Sequence, residues 1–252
     1  DSTLIDLFAE VVDSNFSQEY DFTQSDQAEM VQTSLELLLS ILCLYNKKKK
    51  ESAENETDDF LCDLNANYKD ILKNEGFINP LFSFFNFSKE DQGNDEIIDL
   101  LFRILNEIFS VKLTYFPDKK DQASIIVPTI MNLTQLMEMG ISKNQKAFHE
   151  MSFAINHMSV YFDDKMVAEI EDPFSNFLSA LREVTGPFLE DPREFIDRNV
   201  AIVNIMNFWS VVSSKNSNIQ QISDMAYPLF QNYIQILMKC SSECPDDIVN
   251  IL

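Results

Sequence analysis

Only four of the 252 residues are glycine, namely Gly76, Gly93, Gly140 and Gly186, where about 7% would be usual. Tight β-hairpins need Gly or Asn at positive φ, so a chain this poor in glycine is not built from hairpins. No two glycines are close enough to form G-x-G-x-x-G or a Walker-type loop, which excludes nucleotide binding by those phosphate cradles. The remaining composition is globular: 45% of residues are apolar and 12% aromatic, with 21 Phe. The chain is long enough to bury a substantial core, as one domain or as one continuous array.

Helix signals recur along the sequence. Asn94 can cap a helix with a polar stripe through Glu96, Asp99, Arg103, Glu107 and Ser110. Ile97, Ile98, Leu101, Phe102, Leu105, Ile108 and Phe109 lie between them with a 3.6-residue period. Ser142 to Gln145 and Ser217 to Gln220 match the capping box. Asp172-Pro173 and Asp191-Pro192 place a capping carboxylate before a first-turn proline, and Asn79-Pro80 repeats the signal more weakly. Ser25, Thr57 and Asp118 are further starts.

These nine starts divide the stretch from Ser25 to Ser217 into eight intervals averaging 24 residues, or 48 per helix pair. HEAT and armadillo repeats have periods of about 40–47 residues, whereas tetratricopeptide and ankyrin repeats run near 33–34. The expected fold is therefore all-α. It is a right-handed superhelical stack of about five antiparallel helix pairs, continuous over residues 1–252, like a HEAT or armadillo solenoid. The helix after Asp191 fits this expectation. Ile202, Met206 and Trp209 mark one apolar line, and Ala201, Ile205, Phe208 and Val212 another, with a narrow polar stripe through Asp197, Asn204 and Asn207. A helix apolar over more than half its circumference must be covered on several sides, as inner solenoid helices are.

Two segments depart from the pattern. Lys47–Lys50 runs into the acidic stretch ending at Asp59, giving a charged flexible loop near residues 46–59. Its lysines suit the C-terminal end of a helix dipole or, as the alternative, a nuclear localisation signal. Phe82 to Phe87 is a dense aromatic patch that reads as core.

The formal charge is −22, from 19 basic and 41 acidic residues. Such a surface repels nucleic acid and anionic lipid, and it suits either a basic protein partner or solubility alone. The longest apolar run, Leu37 to Tyr45, is too short to span a bilayer. Asp1 carries no signal peptide and reads as an internal boundary of a longer intracellular protein. Cys43, Cys62, Cys240 and Cys244 form neither a disulfide framework nor a zinc signature and are expected to be reduced, mostly packed thiols. Sequons at Asn15, Asn55, Asn86 and Asn132 read as chance.

His149 and His157 are the only histidines; H-E-x-x-H fails because residue 153 is Phe. Glu169, Glu171 and Asp172 are close enough for general acid–base work, but such proximity is expected by chance among 41 acids. The expectation is a non-enzyme with no catalytic residue, cofactor or metal ligand.

From Ser124 to about Asp247 the chain resembles a karyopherin-β nuclear transport receptor, notably the transportin-3/importin-13 group and the exportins. The resemblance is carried by Ile202-Val-Asn-Ile-Met-Asn-Phe-Trp209 and Tyr227-Pro-Leu-Phe-Gln-Asn-Tyr-Ile-Gln-Ile-Leu-Met-Lys239. Phe148-His-Glu-Met-Ser-Phe-Ala-Ile-Asn-His-Met-Ser-Val-Tyr161 is similar in style. The resemblance implies a HEAT superhelix that binds the GTPase Ran and cargo, shared between cytoplasm and nucleus. The alternative is a HEAT scaffold in another intracellular complex. On either reading the candidate contact residues are the carboxylates Glu169, Glu171, Asp172, Glu190 and Glu194. The two groups lie one helix-to-helix spacing apart, which predicts a common edge facing a basic partner, with no direct role for nucleic acid or membrane.

Overall fold

The computed structural model describes residues 29, 32–40, 43, 95–110, 118–216 and 219–243, and among them every regular element is a helix or a 3₁₀ turn. The α-helices, numbered here from Asp95 onward, are α1 (Asp95–Ser110), α2 (Lys119–Glu138), α3 (Gln145–Met158), α4 (Asp164–Glu169), α5 (Glu171–Thr185), α6 (Pro192–Asp197), α7 (Asn199–Lys215) and α8 (Gln220–Glu243). The chain divides into two compact units, Asp1–Asn132 and Leu133–Leu252, the division falling within α2.

In the first unit, residues 32–40 are helical and bury Leu35, Leu38 and Leu39. Helix α1 buries every apolar residue expected of it, together with Leu100 and Ile104. On its opposite stripe Asp99 and Arg103 pair at 4.0 Å, one turn apart. The Asp118 carboxylate accepts from the Lys120 amide at 2.9 Å and so caps α2 as expected.

Helix α2 ends where Gly140 takes φ 86°, a left-handed conformation that costs a side-chain-bearing residue energy. A 3₁₀ turn, Ile141–Lys143, follows and displaces the next cap. Asn144, not Ser142, caps α3, accepting from the Ala147 amide at 3.0 Å. The proline signal at Asp172 is shifted too. A short helix absent from the sequence reading, α4, is capped by Asp163, and α5 follows directly from Ile170. Asp172 and Pro173 therefore lie inside the first turn of α5, where a missing N–H still costs nothing. Asp191 is the cap expected of it: its carboxylate accepts from the Arg193 amide at 2.8 Å, with Pro192 at the first helical position. Asp191→Ala should destabilise the protein by about 0.5–2 kcal/mol, and an unchanged urea midpoint would show that the cap carries nothing. The expected starts at Ser25, Thr57, Asn79, Asn94 and Ser217 lie outside the described residues, as do the loop near 46–59 and the Phe82–Phe87 patch.

The helix expected to run on from Asp191 is broken. Helix α6 ends at Asp197, Arg198 takes a non-helical conformation, and α7 begins at Asn199. Helix α7 buries Ala201, Ile202, Asn204, Ile205, Met206, Phe208, Trp209 and Val212, and leaves a stripe through Val200, Asn207, Ser210 and Ser214 exposed. Its neighbour α3 runs in the same direction. Gln145 donates to the Asp197 carbonyl, Asn204 to the Ser152 hydroxyl at 3.1 Å, Lys215 to the Val160 carbonyl, and Asn216 to the Phe162 carbonyl at 2.8 Å. These partners are 52 to 55 residues apart. Helix α5 runs the opposite way. Phe174 near its start stacks on Phe162 at 4.7 Å, where α7 ends, while Phe188 beyond its end meets Phe148 near the start of α3 at 5.4 Å. Helix α8 follows α5: Gln221 donates to Ser175, 46 residues earlier, and further along Tyr233 meets the Phe195 ring. The second unit is thus an up–down order of two like-directed pairs, α3 with α7 and α5 with α8.

Phenylalanine fills the space between these helices. Phe208 makes edge contacts with Phe162 at 5.8 Å, Phe177 at 5.8 Å and Trp209 at 6.1 Å. Each such pair adds about 0.5–1.5 kcal/mol beyond the area it buries. Asn204, placed on a solvated stripe by the sequence pattern, is instead buried, and its amide is satisfied by Ser152 of α3.

Candidate protein-binding surface

The five candidate carboxylates are all exposed. Glu169 ends α4, and Glu171 and Asp172 occupy the first turn of α5, so these three gather at one end of the unit. There they oppose the positive end of the α5 dipole. Glu190 precedes the Asp191 cap and Glu194 sits in the first turn of α6, beyond the far end of α5. The 15 residues of α5 span about 22 Å, so the two groups do not share an edge. In an up–down order successive helix starts alternate ends, and a common edge requires every second start. Glu194 is moreover engaged, its carboxylate accepting from Arg198 Nη1.

Where α3 and α7 begin, the structure forms concavities that the sequence reading missed. One, of about 450 Å³, has a floor of Met137, Val184 and Phe188 and a rim carrying Lys143, Glu138 and Glu183. Another, of about 530 Å³, is lined by Asn144, Gln145, Lys146, His149 and Asn199. Arg198 belongs to both. Its side chain is only 15% exposed, its guanidinium carbon lies 4.7 Å from the Phe188 ring centroid, and its buried Nε has no hydrogen-bond partner. Arg is among the residue types enriched at the energetic centres of protein interfaces, and its position over an aromatic face adds a cation–π attraction. The only sequence signal for it was Glu194 four residues before Arg198, a spacing that favours an ion pair on a helix.

His149 Nδ1 lies 3.1 Å from the Glu150 carboxylate, and its ring meets Phe153 edge-on at 4.9 Å. Among the described residues no three His, Cys, Asp or Glu are grouped to hold a metal ion, and no helix is long and apolar enough to cross a membrane. Cys240 is buried, with its thiol toward the Pro192 carbonyl. Cys43, expected to be packed, is exposed. Cys62 and Cys244 lie outside the described residues.

The Cys43 thiol is nevertheless held above the ordinary thiol range, first by partial desolvation and then by the Glu107 carboxylate beside it. A raised pKa leaves less thiolate at neutral pH, so Cys43 should alkylate more slowly than a free cysteine, and Glu107→Gln should speed it. Mass-spectrometric rates with iodoacetamide check this, and a rate equal to free cysteine would contradict it.

Compared with known proteins, the chain matches no family model, no curated protein and no solved structure.

Proposed function

We propose that the chain is a segment of a HEAT-like helical repeat stack whose work is to hold another protein, a binding role and not a catalytic one. The observation that carries this reading is the register of the second unit. Two like-directed helix pairs recur at offsets of 46 and 52 to 55 residues, which bracket the 48-residue pair spacing of the helix starts. A stack in which each pair packs only on its neighbours leaves long edges free for a partner. The proposed superhelix is right-handed.

The sharper form of the reading is a nuclear transport receptor segment that holds Ran or a basic cargo and works in both cytoplasm and nucleus. It is supported by the resemblance of Ile202–Trp209 and Tyr227–Lys239 to karyopherin-β helices. Binding is measured with Ran loaded with GTP and with GDP, and with an arginine-rich protein at low and high salt. Preference for the GTP form supports the transport reading. Equal absence of both forms removes it and leaves a scaffold in another complex. For the basic partner, Glu169→Lys with Glu171→Lys tests one end of α5 and Glu190→Lys the other. Loss of on-rate at low salt identifies the end in use. Unchanged on-rates in both variants would reduce the acidity to a solubility feature.

A further inference from the structure

We propose that the outer face of α8 is a self-association surface, at which two copies of the chain pair antiparallel, α8 against α8. Helix α8 has apolar residues on both sides. Ile222, Ala226, Leu229, Ile236 and Cys240 are buried on the face turned into the unit. On the opposite side Tyr227, Ile234 and Met238 are 65%, 58% and 70% exposed. With Gln231 they stand at i, i+4, i+7 and i+11, the spacing of a coiled-coil seam. Within the seam the Gln231 amide donates to the Tyr227 hydroxyl at 3.0 Å. Among the described residues nothing covers this second face.

Charge selects the occupant. Met225 to Met238 contains no charged residue, in a chain whose net charge is −22. Two copies repel each other over most of their surface, and this neutral stretch is where they can approach. It is bounded by Asp224 at one end and Lys239 at the other, both exposed. The Asp224 carboxylate is fixed by the Gln220 amide at 2.7 Å. Antiparallel pairing centred between Gln231 and Ile234 sets Tyr227 against Met238 of the second copy, a sulfur–aromatic contact. The same centring brings Asp224 to within about two residues, roughly 3 Å along the axis, of Lys239 of the second copy. The two-fold repeats that pair at the other end, so the surface is self-complementary. Parallel pairing would oppose like charges. One helix face is small beside the roughly 800 Å² per partner of a standard interface, so the dimer is weak and concentration-dependent.

Sedimentation equilibrium of the full chain over a wide concentration range, at about 0.15 M salt to screen the general repulsion, tests this. The expected result is a mass rising toward twice that of the monomer. Ile234→Glu is expected to weaken association by about tenfold or more with an unchanged thermal melt, because the side chain is exposed in the single chain. Asp224→Lys and Lys239→Asp should each weaken it, and the two together should restore it. A monomer at every concentration would overturn the proposal and leave the face to a different protein. A dimer indifferent to Ile234→Glu, or a charge swap that fails to restore association, would overturn it equally.

Discussion

Replacing Trp209 by alanine should lower the unfolding free energy by about 3–5 kcal/mol. The side chain is fully buried, on the α7 line that also carries Ile202 and Met206. Its ring meets Phe208 edge-on at 6.1 Å, so truncation removes both transfer energy and an aromatic contact, and leaves a void at a fully buried position. Trp209→Phe should cost far less than the alanine change. The indole Nε1 is buried without a hydrogen-bond partner, and an orphaned donor costs about 1–3 kcal/mol. Removing it offsets part of the volume lost. Urea unfolding of the two variants gives the difference directly. Trp209 is the single tryptophan, so native fluorescence reports on it alone. A blue-shifted emission with weak iodide quenching is expected. A water-like emission maximum, or an alanine penalty below about 1 kcal/mol, would contradict burial.

Phe208→Ala should cost about as much, roughly 3–5 kcal/mol, for a different reason. Phe208 is the ring through which α7 meets both Phe177 of α5 and Phe162 at the exit of α3. Its loss should therefore loosen several helices together. A double-mutant cycle of Phe208→Leu with Phe177→Leu separates the pair from its surroundings. The expected coupling is about 0.5–1.5 kcal/mol, the worth of an edge-to-face aromatic pair. Additive effects would mean that the two rings do not support each other.

Both residues were marked as core by sequence periodicity, and much of the fold was legible in the same way. The apolar set of α1 needs only a 3.6-residue count, and the Asp118 and Asp191 caps need only a carboxylate at the right place. Where the reading slipped, a local signal was overruled by something beyond its window. Ser142 lost its cap to Asn144 because Gly140 ends α2 in a left-handed turn and inserts a 3₁₀ segment. Asp172 lost its cap because α4, too short to show a period, hands the chain straight to α5. Asn204 reads as solvent-facing until Ser152, 52 residues away, supplies its partner.

The candidate site was the least legible part. Exposure of Glu169, Glu171, Asp172, Glu190 and Glu194 follows from charge alone. Their grouping depends on which way each helix runs, and a list of helix starts carries no direction. The clefts at Arg198 depend on that direction too, because they form only where α3 and α7 begin side by side.

The shared direction of α3 and α7 is the geometric claim on which the repeat reading stands, and distances between spin labels test it most directly. Exposed positions are at hand near each end: Lys146 and His157 on α3, Val200 and Ser214 on α7. With the native cysteines replaced, labels at 146 and 200 should be close, and labels at 157 and 214 should be close as well. The crossed pairs, 146 with 214 and 157 with 200, should be longer by roughly 10–20 Å, since 14 residues of helix span about 21 Å. Short crossed distances with long direct ones would mean that α3 and α7 run in opposite directions, and the repeat would be gone.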